Sequence, residues 1–284
     1  MEIVVGKLAG FCFGVNNAVT KTSELIKKEK NLYCLGELVH NRQVVESLEK
    51  QGITTVENID EVPKEAKIII RAHGIPPIIY EKAKQNKNEI YDYTCPKVLK
   101  THDDVIEHKN EYYIFICGVK NHPEVTATQG FSGENSYVIE TEEDLNKAIL
   151  EFKQSKMNKI YIISQTTFSL KKFNNFVEKI SEELKEYSIK VNNSICASTR
   201  TRQEEAEEIS KKVDYMIIIG GKNSSNTKKL YEIARENTKS IHIQTKEQLN
   251  LEEIKKYMKI GITAGASTPK ENVQEIVDIL EGIK

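Results

Sequence analysis

Short runs of Ile, Val and Tyr recur along the chain, and longer segments with a different spacing of apolar residues separate them. The runs are rich in β-branched and aromatic residues and predict strands: MEIVV, NLYCLG, KIIIRAH, EIYDYTC, YYIFICG, KIYIISQ, YSIKVNNSIC, YMIIIGG, SIHIQT and KIGITAG. The separating segments place apolar residues three or four positions apart and predict amphipathic helices, for example AVTKTSELIKK, PKVLKTHDDVIEH, LKKFNNFVEKISEELKE, TRQEEAEEISKK and PKENVQEIVDIL. Alternating strands and helices are typical of an α/β fold with parallel sheets.

Proline marks the points where predicted strands pass into helices. Five of the six prolines directly follow a predicted strand, and they are Pro76, Pro77, Pro96, Pro123 and Pro269. Proline suits the first turn of a helix, where its missing N–H is not needed. Thr268 is expected to cap the last helix, with Glu271 completing a capping box. Because ligands of parallel α/β sheets bind at the carboxyl ends of the strands, the polar residues at these junctions are the first candidates for a functional site.

The junction residues repeat at nearly constant separations. Equivalent residues lie 101 or 102 positions apart in two copies: Cys95 and Cys196, Thr166 and Ser267, His122 and Ser224. A shorter first copy gives separations of 83 and 82 positions, for Cys12 before Cys95 and His40 before His122. We therefore predict three similar α/β units, at 13–95, 96–195 and 196–284, with an N-terminal strand in 1–12. If these units pack around a pseudo-threefold axis, Cys12, Cys95 and Cys196 meet at its centre.

Length, charge and cysteine content narrow the class of protein. The 284 residues, 39% of them hydrophobic, suffice for a globular protein of two or three domains. Lys and Arg number 41 against 42 Asp and Glu, so no uniform field exists to hold nucleic acid or an anionic membrane. The longest apolar stretch, YYIFICGV, is too short to cross a bilayer, and the N-terminus lacks a signal-peptide pattern. Five scattered cysteines do not form a disulfide framework, so we expect a cytoplasmic protein with reduced thiols.

The five cysteines divide into two groups. Cys34 and Cys117 lie inside predicted apolar strands, where a thiol acts as a small buried hydrophobe. Cys12, Cys95 and Cys196 lie at junctions, and position alone leaves core packing and metal ligation both open. Three thiolates suit a soft metal or an iron–sulfur cluster, whereas structural zinc normally takes four protein ligands. A cubane held by three cysteines keeps one iron open to substrate.

The junctions also carry many hydrogen-bond donors. Three are histidines, which could equally be helix caps or turn residues: His40, His73 and His122. The others are hydroxyl and amide side chains: Thr166, Ser224, Ser225, Asn226 and Ser267. Donors at helix N-termini favour anions, so this set predicts a phosphate or diphosphate site. The remaining histidines lie in charged or mixed segments and are expected to be surface or incidental residues: His102, His108 and His242.

Glu124 is the one carboxylate inside these motifs, two residues after His122. Two roles remain open from its position. An acid in the first turn of a helix compensates the helix dipole. An acid beside a substrate can instead deliver a proton to a leaving hydroxyl.

Taken together, the motifs resemble those of the 4-hydroxy-3-methylbut-2-enyl diphosphate reductase family of the non-mevalonate isoprenoid pathway. They follow the same order over essentially the whole chain: GFCFGV, HNRQVV, RAHGI, TCPKV, HPEV, SQTT, SICASTRTRQ, GGKNSSNTKKL and TAGASTP. Tyr93, Lys97 and Ala127 depart from the family pattern, and none of them is a candidate ligand.

The resemblance implies a three-lobed α/β fold and an iron–sulfur oxidoreductase. Its central 4Fe-4S cluster would be held by Cys12, Cys95 and Cys196, with the remaining iron open to the substrate hydroxyl. The diphosphate would be bound by His40, His73, His122, Ser224, Ser225, Asn226 and Ser267. Thr166 would position the hydroxyl, and Glu124 would supply protons. The implied reaction removes the hydroxyl with two electrons and two protons, giving isopentenyl diphosphate and dimethylallyl diphosphate, with ferredoxin or flavodoxin as a typical electron donor.

Three other interpretations compete with this one. A quinolinate synthase-like enzyme also uses three cysteines, but its substrates are carboxylates, whereas SSNT and HPE suit a phosphate site with a proton donor. A non-catalytic iron–sulfur sensor predicts an exposed basic or apolar partner surface, which the balanced charge does not suggest. A zinc-stabilised binding protein would need a fourth ligand at an equivalent junction.

Overall fold

Twelve short strands form three sheets in the computed structural model of the chain, which describes residues 1–282. The strands are β1 (Glu2–Val5), β2 (Leu32–Leu35), β3 (Ile53–Val56), β4 (Lys67–Ile70), β5 (Glu89–Asp92), β6 (Tyr113–Cys117), β7 (Ser136–Ile139), β8 (Lys159–Ser164), β9 (Ser188–Asn192), β10 (Tyr215–Ile219), β11 (Lys239–Ile243) and β12 (Lys259–Ala264). All ten strands expected from the sequence are present, and β3 and β7 were not anticipated.

The three sheets share one topology. Their strand orders are β3-β2-β4-β5, β7-β6-β8-β9 and β11-β10-β12-β1, and every paired strand runs parallel to its neighbour. In the third sheet, the N-terminal strand β1 takes the edge position that β5 and β9 hold in the other two. The prediction of an α/β fold with three similar parallel sheets is therefore confirmed.

Helices connect the strands along the described residues. They are α1 (Phe13–Ile26), α2 (Arg42–Lys50), α3 (Pro77–Gln85), α4 (Pro96–His108), α5 (Pro123–Ser132), α6 (Glu142–Gln154), α7 (Leu170–Glu183), α8 (Ala197–Ser210), α9 (Ser225–Asn237), α10 (Leu251–Ile254) and α11 (Lys270–Glu281). Pro77, Pro96 and Pro123 each begin a helix, as their positions after strands predict. No helix within residues 1–282 is long and apolar enough to cross a membrane.

The chain forms two compact units. One comprises residues 1–17, 39–51 and 197–284, and it contains the sheet β11-β10-β12-β1. The other comprises residues 18–38 and 52–196, and it contains the other two sheets. The boundaries predicted from the sequence, at 12, 95 and 195, stay a prediction about domains.

Each unit builds its core on both faces of its sheets. In β6, Phe115 packs into one apolar cluster and Ile116 into the cluster on the opposite face. In β10, Ile217 and Ile218 divide in the same way between two clusters. Burial on both faces explains why these strands are continuous apolar runs, which is typical of parallel sheets covered by helices.

Two expectations about individual residues are wrong. Thr268 does not cap α11, because its hydroxyl donates to the carbonyl of Ile219 at 3.0 Å and Pro269 occupies the capping position. His102 and His108, expected to be surface or incidental residues, do not lie at the surface, because both are buried on the inner face of α4. In each case a polar side chain finds a partner or a covering element that its neighbours in the sequence do not indicate.

Candidate functional site

The three junction cysteines are attached to the fold in the same way. Each lies immediately before a helix, and its backbone N–H donates to a carbonyl in the loop after the neighbouring strand. The pairs are Cys12 with Ala266 at 3.0 Å, Cys95 with Ala72 at 3.0 Å and Cys196 with Thr166 at 2.9 Å. In all three, the acceptor is the second residue past the end of its strand, β12, β4 or β8. The repeated spacing of the cysteines in the sequence therefore corresponds to the same backbone hydrogen bond at each of the three junctions.

Burial separates the junction cysteines from the other two. Cys34 and Cys117 lie within β2 and β6 and are 1% and 0% exposed, in agreement with a packing role. Burial raises the pKa of the Cys117 thiol far above its usual range, which disfavours the thiolate that binds metals. Cys12, Cys95 and Cys196 are only half-buried, and none of the five forms a disulfide within the described residues.

The donor chemistry of the junction cysteines fits an iron–sulfur cluster. Such clusters are bound by cysteine thiolates, and these three thiols are accessible. Each cysteine precedes the first turn of a helix, where the positive end of the dipole favours negative charge on a bound group. Each of these three thiols, taken by itself, therefore has the donor chemistry of a cluster ligand.

A buried acid lies in the unit formed by residues 18–38 and 52–196. Glu124, on the first turn of α5, is 1% exposed, and both of its carboxylate oxygens accept hydrogen bonds from Thr166. The backbone N–H of Thr166 donates at 2.6 Å and its hydroxyl at 2.8 Å. Burial raises the pKa of Glu124 to about 7, although the two bonds from Thr166 oppose this rise. Glu124 can therefore hold or release a proton near neutral pH.

Two histidines lie beside this acid in the same unit. The Nδ1 atom of His122 accepts a hydrogen bond from the backbone N–H of Glu124 at 3.2 Å, which places the proton of the neutral ring on Nε2. The rings of His73 and His122 meet edge to face, with centroids 5.4 Å apart. The acid, its backbone N–H and the two imidazole rings therefore lie next to one another in this unit.

Contacts connect the candidate residues of this unit into one continuous group. His73 contacts His122, whose ring accepts from Glu124, and Glu124 accepts from Thr166. The carbonyl of Thr166 then accepts from Cys196. Cys95 joins the same group, because its partner Ala72 directly precedes His73.

The unit formed by residues 1–17, 39–51 and 197–284 gathers the other candidates. The hydroxyl of Ser267 donates to the carbonyl of His40 at 3.1 Å, and Ser267 directly follows the partner of Cys12. The carbonyl of His40 also lies against Gly221, where a Cβ atom would be only 2.2 Å from it. Glycine is therefore required at this position for the His40 loop to approach the turn before α9.

The N-terminus of α9 carries three of the predicted donors. Ser224 caps the helix by accepting from the N–H of Thr227 at 3.2 Å, and Ser225 begins it. Asn226 is 3% exposed, and neither polar atom of its amide has a hydrogen-bond partner within residues 1–282. A buried amide without partners is costly, so Asn226 is suited to a polar ligand.

Sequence reasoning missed two residues that support these loops. Gln165 is buried, and its amide accepts from the N–H of Val119 at 3.0 Å and donates to Thr167 at 2.8 Å, which braces the turn before His122. His102 stacks on Phe131 beneath Gly74, and burial lowers its pKa to about 4. The SQTT motif contains Gln165, but no pattern in the sequence distinguishes its bracing role.

An acid, histidines and cysteines lie in the loops at the carboxyl ends of these parallel strands, which is where α/β proteins bind their ligands. A profile of the LytB protein family matches residues 3–281. The chain belongs to the LytB protein family.

Named relatives and solved structures agree with this assignment. A protein of Clostridioides difficile named 4-hydroxy-3-methylbut-2-enyl diphosphate reductase is 42% identical over 285 residues, covering 100% of both chains. A protein of the same name from Caldanaerobacter subterraneus is 40% identical and covers 100% of this chain and 98% of its own. The solved structure of the E-1-hydroxy-2-methyl-but-2-enyl-4-diphosphate reductase from Plasmodium falciparum has a TM-score of 0.90 at 32% identity, covering 98% of this chain and 87% of that one.

A second solved structure extends the comparison. It is described as (E)-4-hydroxy-3-methyl-but-2-enyl diphosphate reductase, the terminal enzyme of the non-mevalonate pathway, and it has a TM-score of 0.71 at 36% identity. It covers 99% of this chain and 100% of that one. The resemblance inferred from the motifs is therefore confirmed, and the chain is an enzyme of this reductase family. This excludes the alternative that the protein is a non-catalytic iron–sulfur sensor.

Proposed function

We propose that the chain removes the hydroxyl of 4-hydroxy-3-methylbut-2-enyl diphosphate reductively, giving isopentenyl diphosphate and dimethylallyl diphosphate. The names of its full-length relatives support the substrate class. The observation that carries the proposal is the buried pair of Glu124 and Thr166, which is connected through the carbonyl of Thr166 to Cys196. An ionisable acid that shares the bonding partner Thr166 with a candidate cluster ligand suits chemistry that combines electrons with protons.

We assign Cys12, Cys95 and Cys196 as the ligands of a 4Fe-4S cluster. When bound, such a cluster supplies electrons and an iron that acts as a Lewis acid. The anchoring of each cysteine N–H supports the assignment, because a fixed backbone limits the positions that the thiol can take. The two cysteines buried in strands take no part in this assignment.

The diphosphate would be bound mainly by neutral donors. The candidates are the N–H of His122, the amide of Asn226, the hydroxyl of Ser225 and the N–H groups at the start of α9. His40, His73, Ser224 and Ser267 complete the proposed set. A hydrogen bond to a charged oxygen contributes about 1.5 to 3 kcal/mol, so several such donors can hold a diphosphate without a cluster of Lys and Arg. Fixing the diphosphate would also fix the position of the reacting carbon chain.

Protons would come through Glu124. With a pKa of about 7, its carboxyl is partly protonated at neutral pH and can protonate a leaving hydroxyl. Thr166 donates to both carboxylate oxygens and would orient the substrate hydroxyl toward that acid.

The reaction balances with two electrons and two protons. The carbon–oxygen bond breaks, the hydroxyl leaves as water, and the allylic fragment gains two electrons and one proton. Protonation at either end of the allyl system gives one of the two products. The electrons would come from a one-electron carrier protein such as ferredoxin or flavodoxin.

The test is Glu124→Gln, assayed under anaerobic conditions with substrate and reductant. We expect the cluster spectrum and substrate binding to persist while turnover falls by roughly 10² or more, the usual contribution of a general acid. Glu134→Gln is the matched control, because Glu134 is exposed and follows the same helix. Near-normal turnover of Glu124→Gln would assign Glu124 to dipole compensation instead.

A further inference from the structure

Helix α8 holds the loop that leads to Cys12 through two of its own side chains. The loop, residues 6–12, leaves the edge strand β1 and ends where α1 begins. Arg202 and Glu205 lie one turn apart on α8, in the TRTRQEEA segment, and both contact the backbone of this loop. All of these residues belong to the same compact unit. Neither side chain has a role in the proposed reaction.

Arg202 is a buried cation that hydrogen-bonds to backbone carbonyls. Its side chain is 3% exposed, and its guanidinium donates to the carbonyl of Gly10 at 2.8 Å and to that of Leu8. It also donates to the carbonyl of Ala264, at the end of β12, at 3.3 Å. Burying a charge is unfavourable unless strong hydrogen bonds compensate, so these bonds fix both the guanidinium and the loop.

Glu205 contacts the N–H groups of the same loop. Its carboxylate accepts from the N–H of Lys7 at 2.8 Å and from the N–H of Leu8 at 3.4 Å. It also lies so close to Gly6 that a Cβ atom there would be 2.7 Å from its Oε2 atom. The N–H groups of the loop thus donate to the Glu205 carboxylate, and its carbonyls accept from the Arg202 guanidinium.

The end of the loop is fixed by the backbone bond from Cys12 to Ala266. The bonds from Arg202 fix the residues two and four positions before Cys12. Without the two side chains of α8, Cys12 would follow a segment attached mainly at its two ends, and its thiol would sample more orientations.

We propose that Arg202 and Glu205 are positioning residues for Cys12, which hold its thiol in the orientation that metal ligation needs. They act through the loop backbone and do not touch the reacting atoms. This inference rests on the proposed function, in which Cys12 is a cluster ligand. It predicts that weakening either side chain loosens Cys12 selectively and leaves Cys95 and Cys196 unaffected.

The test compares Arg202→Lys and Glu205→Gln with Arg200→Lys and Glu204→Gln in the full-length protein. Arg200 and Glu204 are exposed on the same helix, so these controls repeat the same chemical changes without a contact to the loop. In metal-free protein, alkylation of each cysteine by iodoacetamide is followed by peptide mass mapping. In reconstituted protein, the rate of iron loss to a chelator is measured.

We expect Cys12 to be alkylated about tenfold faster in Arg202→Lys and Glu205→Gln, a factor that corresponds to about 1.4 kcal/mol. Cys95 and Cys196 should react at unchanged rates, and iron loss should accelerate to a similar extent. Unchanged alkylation of Cys12 would overturn the inference, and so would equal acceleration at all three cysteines, because that indicates general loosening. If Cys12→Ser keeps a full complement of iron, the proposed ligand set fails, whatever the alkylation rates show.

Discussion

Thr166 donates both its backbone N–H and its hydroxyl to the carboxylate of Glu124, at 2.6 and 2.8 Å, across 42 residues of sequence. The pair joins the loop after β8 to the first turn of α5, and the carbonyl of Thr166 accepts from Cys196. One residue thus contacts both the candidate proton donor and the backbone of a candidate cluster ligand.

Because the pKa of Glu124 is raised in the folded chain, the free energy of unfolding should depend on pH. Its ordinary pKa is 4.5, and burial raises it to about 7 in the folded chain. Below pH 4.5 the carboxyl is protonated in both states. Between pH 4.5 and about 7, Glu124 loses its proton in the unfolded chain but keeps it in the folded chain. The free energy of unfolding therefore falls as the pH rises from 4.5 to about 7. The free energy of unfolding lost over this pH range is on the order of 3 kcal/mol, at 1.36 kcal/mol for each pKa unit.

Glu124→Gln removes this titration. The melting temperature of the variant minus that of the unchanged chain should therefore increase from pH 5 to pH 7 and then stay constant. Thermal unfolding of metal-free protein at several pH values measures the difference. A difference that stays constant across this range would show that Glu124 does not carry a raised pKa.

Thr166→Val separates the hydroxyl bond from the backbone bond. The hydroxyl lowers the pKa of Glu124, so its removal should raise that pKa further. Because a proton donor works in its protonated form, the alkaline limb of the turnover profile should move to higher pH. Turnover should also fall about tenfold or more, since a hydrogen bond to a charged group contributes about 1.5 to 3 kcal/mol. Thr126→Val, at an exposed position of α5, is the control. An unchanged pH profile of turnover would show that the Thr166 hydroxyl does not affect the pKa of Glu124.

Asn226→Asp tests the buried amide at the start of α9. The change keeps the shape of the side chain but replaces two donors with a negative charge, which repels a diphosphate. Substrate affinity in a direct titration should fall by roughly 10² or more, because a buried like charge is strongly unfavourable. Asn223→Asp introduces the same charge at an exposed position three residues earlier and should change affinity far less. Equal effects of the two variants would argue against contact between Asn226 and the substrate.

Cysteine substitutions should fall into two classes. Cys34→Ala and Cys117→Ala should keep the brown colour and the iron content, because both thiols are packed inside strands. Cys12→Ser, Cys95→Ser and Cys196→Ser should each lose cluster, because serine oxygen is a poor substitute for a thiolate. Iron and sulfide analysis of anaerobically purified protein measures the outcome. Retention of full iron content in any of the last three would remove that cysteine from the proposed set.

The strands that the sequence predicted are those with clear apolar runs. Phe115 and Ile116 in β6 face opposite cores, so almost every residue of that strand is apolar. Strands β3 and β7 contain ITTV and SYVI, and polar residues or glycine flank both segments, so neither apolar run stands out from the sequence around it. The junction residues were predictable because a cysteine recurs at the same position of each repeat and because proline marks several of the strand-to-helix junctions.

Residues that pair across distant elements could not be predicted. His108 is expected to be a surface or incidental residue because its segment is charged, yet its ring stacks on Tyr161 with the centroids 4.1 Å apart. Its Nε2 atom lies 2.7 Å from the ammonium of Lys190 on β9. Arg202 and Glu205 likewise belong to a run of charges that is typical of a solvated helix face. Their partners in the loop before Cys12 lie more than 190 residues earlier in the chain, so only the fold shows their role.

The most direct measurement incubates anaerobically reconstituted protein with 4-hydroxy-3-methylbut-2-enyl diphosphate and a one-electron reductant, and then identifies and counts the products. The proposed function predicts isopentenyl diphosphate and dimethylallyl diphosphate, with two electrons consumed for each molecule of substrate. In a parallel reaction, Glu124→Gln with the same iron content should leave the hydroxyl on the bound substrate. Recovery of unchanged substrate from protein with a complete cluster, in the presence of excess reductant, would contradict the proposed function.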